Sequence, residues 1–428
     1  MTSLKQLFGG GARQFGMVFA LIALVAIFQF ATGGKVLTPT NAQNIINGNS
    51  YVLILAIGMV LVIIAGHIDL SVGSVAAVVG IIVALAIRDW GIPWWLGILL
   101  GLAVGALIGA WQGFWVAYVG IPGFITTLAG MMFFRGANQY IGKSNTVPVP
   151  EEIQYLGAGY LPEWGPDTGL NNWTLLLGIA AIAGVVYAEV RRRRSARRLG
   201  GAPVEMWVSV VRVGALAVVI GGATYLFGSG RVGTSFPVSG VILGVLVLIY
   251  GFVSSRTITG RHVYAVGGNK VAASLSGVNI RRTNFFVMMN MSVLAALAGI
   301  VFIGRSTASG PFDGTNWELD AIAAVFIGGA AVSGGVGTVV GSLIGGLVMA
   351  VLNNGLQLMG VGSDSTQMIK GLVLLAAVAF DVYNKIQGRP SIIGLLTRSR
   401  RRTEIPGGPE GPGGGPVTAS KADSLAQS

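Results

Sequence analysis

The sequence predicts an all-α polytopic membrane protein with about twelve spanning helices, and three observations carry that prediction. Of its 428 residues, 53% are hydrophobic and 10% charged, where a water-soluble chain carries about 25% charged residues. The mean hydropathy is +0.73. Apolar runs separated by short polar joints recur along the chain, at lengths near the ~20 residues that a hydrocarbon core ~30 Å thick asks of a helix. The 67 glycines lie mostly within these runs, where they let helices approach closely.

Residues 1–14 read as a cytoplasmic N-terminus. The first apolar run, 15–31, lacks an Ala-x-Ala cleavage site and so reads as a span rather than a signal peptide. The second, 50–65, is unbroken until Gly66, and the third, 71–87, begins within the interruption "GHIDLSVGS" at 66–74. Spans at 94–118 and 123–141 follow. Segment 142–172 carries Glu151, Glu152, Glu163, Asp167 and four prolines, and reads as an ordered acidic loop facing outward. The basic stretch "RRRRSARR" at 191–198 joins two further runs, 173–190 and 207–227. Runs at 237–255 and 285–304 flank a cytoplasmic segment, 256–284. The tenth run, 321–334, is short for a crossing and reads as tilted, broken or re-entrant. Runs at 337–357 and 366–383 complete a membrane domain over 15–385. Residues 386–428, rich in Gly, Pro and Ser after Pro406, read as a disordered cytoplasmic tail.

Charge sets the orientation. With the N-terminus inside, the alternating loops place 20 of the 28 Lys and Arg residues on the cytoplasmic side. Only Lys35, Arg88, Lys143, Arg231 and Arg305 fall on the other side, as the positive-inside rule requires of a multi-pass protein with both termini cytoplasmic. The net charge of +12 therefore implies the bilayer as partner and not nucleic acid. The absence of cysteine and the presence of only two histidines exclude thiolate and multi-histidine metal sites. The nearest approach to a phosphate-cradling loop, "GANQYIGKS" at 136–144, has the wrong glycine spacing and emerges outside. Hydrolase motifs are absent, so the chain reads as a non-enzyme without a cofactor of its own.

Four stretches carry functional expectations. In "GHIDLSVGS", Asp69 or Ser71 is placed to cap the following helix, and Gly73 and Ser74 leave its first turn open. A carboxylate within an apolar region costs at least about 2.5 kcal/mol and marks a functional site; His67, Asp69, Ser71 and Ser74 are therefore translocation-pathway candidates. The bland alternative is a cap at the cytoplasmic edge, with His67 interfacial. Asn353 and Asn354, inside the eleventh run, join the pathway candidates, although bonding between helices also explains them. Within 256–284, Asn269 reads as an N-cap and Gly277 as a C-terminal stop of a two-turn helix with Val271, Ala272 and Leu275 on one side. An exposed apolar helix in basic surroundings reads as a docking element, and Gly267, Gly268, Asn269, Val271, Ala272, Leu275, Ser276 and Gly277 are its candidates. The acids of "ELDAIAAVFIGG" at 318–329 read as caps of the tenth helix. Arg135 and Lys370 read as snorkelling residues near span ends.

An internal echo aligns 101–120 with 337–356, pairing Gly101 with Gly337, Gly105 with Gly341 and Gly109 with Gly345. One copy runs inward and the other outward, the inverted-repeat plan of many transporters. Glycine at every fourth position is also ordinary tight packing.

These residues resemble a known family. "IIAGHIDLSVGS" (63–74), "IPGFITTLAGMMFFRG" (121–136), "GRHVYAVGGNKVAASLSGVNI" (260–280), "ELDAIAAVFIGG" (318–329), "NNGLQLMGV" (353–361) and "QMIKGLVLLAAVAFDVYNK" (367–385) are similar to the inner-membrane permease subunit of ATP-binding cassette sugar importers of the ribose, xylose and arabinose group. His67 and the pair at 173–227 resemble its xylose, or multiple-sugar, branch. The resemblance implies a ten-helix type II importer core with inverted repeats plus that extra pair, in the cytoplasmic membrane. It also implies a permease homodimer, an external sugar-binding protein and separate cytoplasmic ATPase subunits that use ATP and magnesium and meet the helix at 269–277. Two other readings stand beside it: a permease for branched-chain amino acids or another small polar solute, and an ion-coupled secondary transporter in which Asp69 carries the proton or cation.

Overall fold

The computed structural model describes residues 12–166, 168–198, 205–231 and 233–386. The expectations for residues 1–11 and for the tail from 387 onward lie outside these. Among the described residues there are fifteen α-helices. The first five are α1 (Ala12–Ala31), α2 (Pro39–Ile64), α3 (Val72–Trp90), α4 (Trp94–Phe114) and α5 (Gly123–Ile141). A π-helical turn, Trp115–Val119, continues α4. The connecting and hairpin helices are α6 (Glu151–Ala158), α7 (Asn172–Arg198) and α8 (Met206–Gly228). Then come α9 (Val238–Arg256), α10 (Ile258–Gly268), α11 (Lys270–Leu275), α12 (Ile280–Ser306), α13 (Trp317–Ile327), α14 (Val339–Leu358) and α15 (Ser363–Ile386). A helix overlaps each of the twelve expected windows, although α13 ends at Ile327, seven residues short of the end of the 321–334 window. Eight of them (α2, α3, α4 with its π turn, α7, α8, α9, α12 and α14) are both long and apolar enough for a crossing.

The core is built on α2 and α12. From Leu53 to Ala65 every side chain of α2 is buried, the behaviour of a helix apolar on all faces. Tyr51 packs edge-on against Phe302 and at a tilt against Trp317, whereas Gly58 lies against Met291 and Leu294, so α2 and α12 run antiparallel. Around them the packing is symmetric under exchange of halves: α4 packs on α12 as α14 packs on α2, α3 on α4 as α13 on α14, and α3 on α5 as α13 on α15. The pairs α2/α12, α3/α13, α4/α14 and α5/α15 thus have the antiparallel, two-fold relation that the sequence echo between α4 and α14 expects. The glycine-by-glycine alignment carries over only at its first pair, where Gly101 meets Ile300 of α12 as Gly337 meets Ile64 of α2. Gly105 and Gly109 face α12, but Gly341 and Gly345 face α13, and it is Gly346 that meets Leu53 of α2.

Three elements depart from the sequence reading. α2 begins eleven residues earlier than expected, because its polar first turns find partners: Asn41 with Asn354, Gln43 with Phe227 O, and Asn47 with Ser239. Helix α7 runs on through "RRRRSARR", where arginine is a good helix former and cations favour the C-terminal end. The acidic segment is not simply a loop. Residues Val147–Pro148 pair antiparallel with Ala308–Ser309, and α6 buries Ile153 against α12, with Gly157 and Gly304 letting the two backbones touch. Helices α7 and α8 form a hairpin held by Glu189, which accepts from the Ser209 hydroxyl at 2.6 Å, while Arg193 donates to that hydroxyl at 2.7 Å.

Candidate functional site

The α2–α3 junction lies inside the bundle. α3 runs parallel to α12, with Ala76 against Gly299 and Gly80 against Ile303. Its first residue therefore falls about 16 Å short of the end of α12, at 1.5 Å per residue. Residues 67–70 are non-helical, and irregular backbone at such depth needs partners from the protein. It has them. Thr127 Oγ1, from α5, accepts the Leu70 N–H at 3.1 Å and donates to Ile68 O at 3.3 Å. Ile64 O accepts the N–H of Gly335, from the loop after α13, at 2.9 Å.

Asp69 is fully buried. Its Oδ1 accepts the Ser71 N–H at 2.8 Å and the Ser71 hydroxyl at 2.6 Å, and Gln112 Nε2 of α4 donates to the Ser71 oxygen at 2.8 Å. The expected caps are therefore corrected. Neither Asp69 nor Ser71 accepts an amide from within α3, because the Ser71 hydroxyl is committed to Asp69 and the carboxylate turns back to the N-cap amide. Asp69 Oδ2 and the buried Ser74 Oγ have no hydrogen-bond partner among the described residues. The His67 ring, half-buried, packs on Gly123 of α5.

The start of α3 meets the start of α13. Gly73 and Gly314 touch backbone to backbone, and a Cβ on either would overlap the other's carbonyl. On the next turn, Glu318 is 4% exposed, with Oε1 3.6 Å from the Arg135 guanidinium of α5. Asp320 takes Lys370 of α15, Nζ lying 2.7 Å from Oδ1 and 2.9 Å from Oδ2. Arg135 and Lys370 thus do not snorkel toward the headgroups: each reaches an acid on the first turn of α13, one from each side. Ahead of that turn, in the 307–316 loop, Asp313 Oδ2 accepts the Gly310 N–H at 2.7 Å. Burial raises its carboxyl above the usual range, and that bond offsets part of the rise.

The other candidates lie elsewhere. Asn354 exchanges two amide hydrogen bonds with Asn41, at 2.9 and 2.8 Å; it is joined to α2 and not to Asp69. Asn353 is half-buried beside it. In α11, Asn269 Oδ1 accepts the Ala272 N–H at 3.0 Å and Gly277 has φ +82°, as expected of its cap and stop. Val271 and Leu275 are 70% and 86% exposed, with Ala272 and Ser276 exposed beside them. Gly267 and Gly268 do not share that face. They are the last residues of α10, a helix the sequence reading did not separate, and they pack on Ile64 O and Gly335. The polar groups that sequence reasoning missed are Gln112 and Thr127; their signal was a polar residue inside an apolar run.

A family profile for the permease component of the branched-chain amino acid transport system matches residues 41–154 and 231–378, leaving the α7–α8 hairpin outside both stretches. The chain is 40% identical over 370 residues to the xylose transport system permease protein of Haemophilus influenzae, covering 86% of this chain and 96% of that protein. It is 38% identical over 372 residues to the xylose transport system permease protein of Escherichia coli K12, covering 87% and 92%. Similarity to the ribose import permease protein of Escherichia coli K12 is 32% over 364 residues, covering 85% and 92%. No solved structure matches the chain.

Proposed function

The chain belongs to the family of branched-chain amino acid transport system permease components, and from that premise we propose that it is the membrane-spanning permease of an ATP-driven importer for a monosaccharide, xylose or a related aldose. The observation that carries the substrate class is similarity at 32–40% identity, over nearly the whole length, to permeases named for xylose and ribose. The architecture supports transport. Two helices, α3 and α13, begin inside the bundle, and their N-termini converge on buried polar groups, the arrangement in which transporters handle polar solutes at membrane depth.

In this reading the chain provides the path and hydrolyses nothing. ATP and magnesium are used by a cytoplasmic ATPase that docks on the exposed apolar teeth of α11, Val271 and Leu275. An external sugar-binding protein delivers the solute, and two permease copies form the channel in the cytoplasmic membrane, both termini inside. The clustering of arginines at the α7 C-terminus and around α10 and α11 supports that orientation.

Reconstitution in liposomes with an ATPase and a xylose-binding protein encoded alongside this chain tests the proposal. ATP-dependent xylose uptake is expected. Uptake of leucine without sugar would replace it with the amino-acid reading, and gradient-driven uptake by the purified chain without ATP would replace it with ion-coupled transport.

A further inference from the structure

Between α13, α14 and α15 the structure holds a cavity of about 180 Å³, far above the ~10–15 Å³ that accommodates one water. Its lining divides by chemistry. Asn316, Asp320, Gln367 and Lys370 supply polar groups, and Ala323, Met349 and Leu374 supply an apolar side. We propose that this cavity is a monosaccharide-binding waystation of the transport path, formed by Asp320 and Lys370 with the amides of Asn316 and Gln367. The inference rests on the importer reading and adds to it a site outside the pathway residues read from the sequence.

The chemistry favours a neutral polyol. Lys370 and Asp320 neutralise each other at 2.7 Å, and each keeps capacity after doing so: the ammonium has three protons, and the two carboxylate oxygens have about four lone-pair sites between them. Sugar hydroxyls donate to the spare carboxylate lone pairs and accept from the spare ammonium and amide protons without separating the ions. A zwitterionic amino acid satisfies the same groups only by breaking the pair, which leaves charges to be matched anew in a half-buried site. The apolar side meets the C–H face of a sugar ring, as a few convergent polar groups on an otherwise apolar lining do in ligand sites. Asp320 lies on the same first turn of α13 as Glu318, which abuts the Gly73–Gly314 crossing, and faces α15 and the cavity where Glu318 faces Arg135 of α5.

The natural chain contains no cysteine, so a single introduced thiol is the only one in the permease, and its labelling is read on the permease band. Gln367→Cys and Leu374→Cys permeases, assembled with the ATPase and sugar-binding protein in liposomes, are labelled with an uncharged maleimide. Xylose or leucine is present or absent, and uptake is measured in parallel. Tyr140→Cys, at the exposed end of α5, is the reference thiol. Xylose at about four times its dissociation constant should slow labelling of both cavity thiols about fivefold, the occupancy factor, with leucine and the reference thiol showing no change. Unslowed labelling alongside normal xylose uptake would overturn the waystation and leave the importer standing. Absence of xylose uptake by the cysteine-free parent would overturn both. If both variants assemble poorly, intrinsic labelling of Lys370 in the parent chain by an amine reagent is the second measurement: xylose protection supports the site, and lack of protection overturns it.

Discussion

Leu275→Asp is the sharpest test of how the chain couples to ATP hydrolysis. Leu275 is 86% exposed at the end of a six-residue helix, so in the isolated permease it contributes almost nothing to folding. Surface substitutions of this kind stay within about ±0.5 kcal/mol. Against a docked ATPase nearly the whole side chain is available for burial, which is worth about 1.5–3 kcal/mol for a leucine. Losing it weakens association by about 10-fold to 150-fold, before any cost of desolvating the new carboxylate. The assay is paired: thermal unfolding of the detergent-solubilised permease, and titration of ATPase binding with ATP-dependent uptake. Expected are an unchanged melting temperature, a dissociation constant raised by one to two decades and lost uptake. An unchanged dissociation constant with normal uptake would refute docking at α11, and a lowered melting temperature would show that Leu275 is packed in the permease itself.

Gly73→Ala should destabilise the permease by about 1–3 kcal/mol through overpacking, because the added methyl overlaps the Gly314 carbonyl. Gly136→Ala, with open space around it in α5, should stabilise by about 0.5–1 kcal/mol; equal melting temperatures for the two would contradict the crossing. Ser71→Ala removes the hydroxyl between Asp69 and Gln112, both fully buried, and should cost about 1–3 kcal/mol. A thermal shift indistinguishable from zero would show that this network adds nothing. Asn354→Leu breaks the amide pair with Asn41 and should cost about 0.6 kcal/mol without altering sugar selectivity, measured as the xylose to ribose uptake ratio. A changed ratio would return Asn354 to the pathway.

The membrane class and the places where helices form were legible in the sequence, because the hydrocarbon requirement acts on each segment by itself. The cap and stop of α11 were legible for the same local reason: Asn269 and Gly277 act on backbone within three residues of themselves or at their own φ. What failed in the reading was non-local. The polar start of α2 looked like a loop because Asn354, the partner of Asn41, lies 313 residues away. The segment now seen as α6 looked like a loop because Ile153 becomes a core residue only against α12.

The sequence by itself determined that this chain is a bundle of apolar helices with arginines gathered in the joints between them and an exposed, capped helix between α9 and α12. Only the tertiary structure decided how deep Asp69 lies, since depth follows from α3 starting partway along α12, with glycines 241 residues apart in contact at Gly73 and Gly314. It also decided that Arg135 and Lys370 turn inward to Glu318 and Asp320. In a low-dielectric bundle a charge goes where its partner is, and which residues are partners depends on which helices meet.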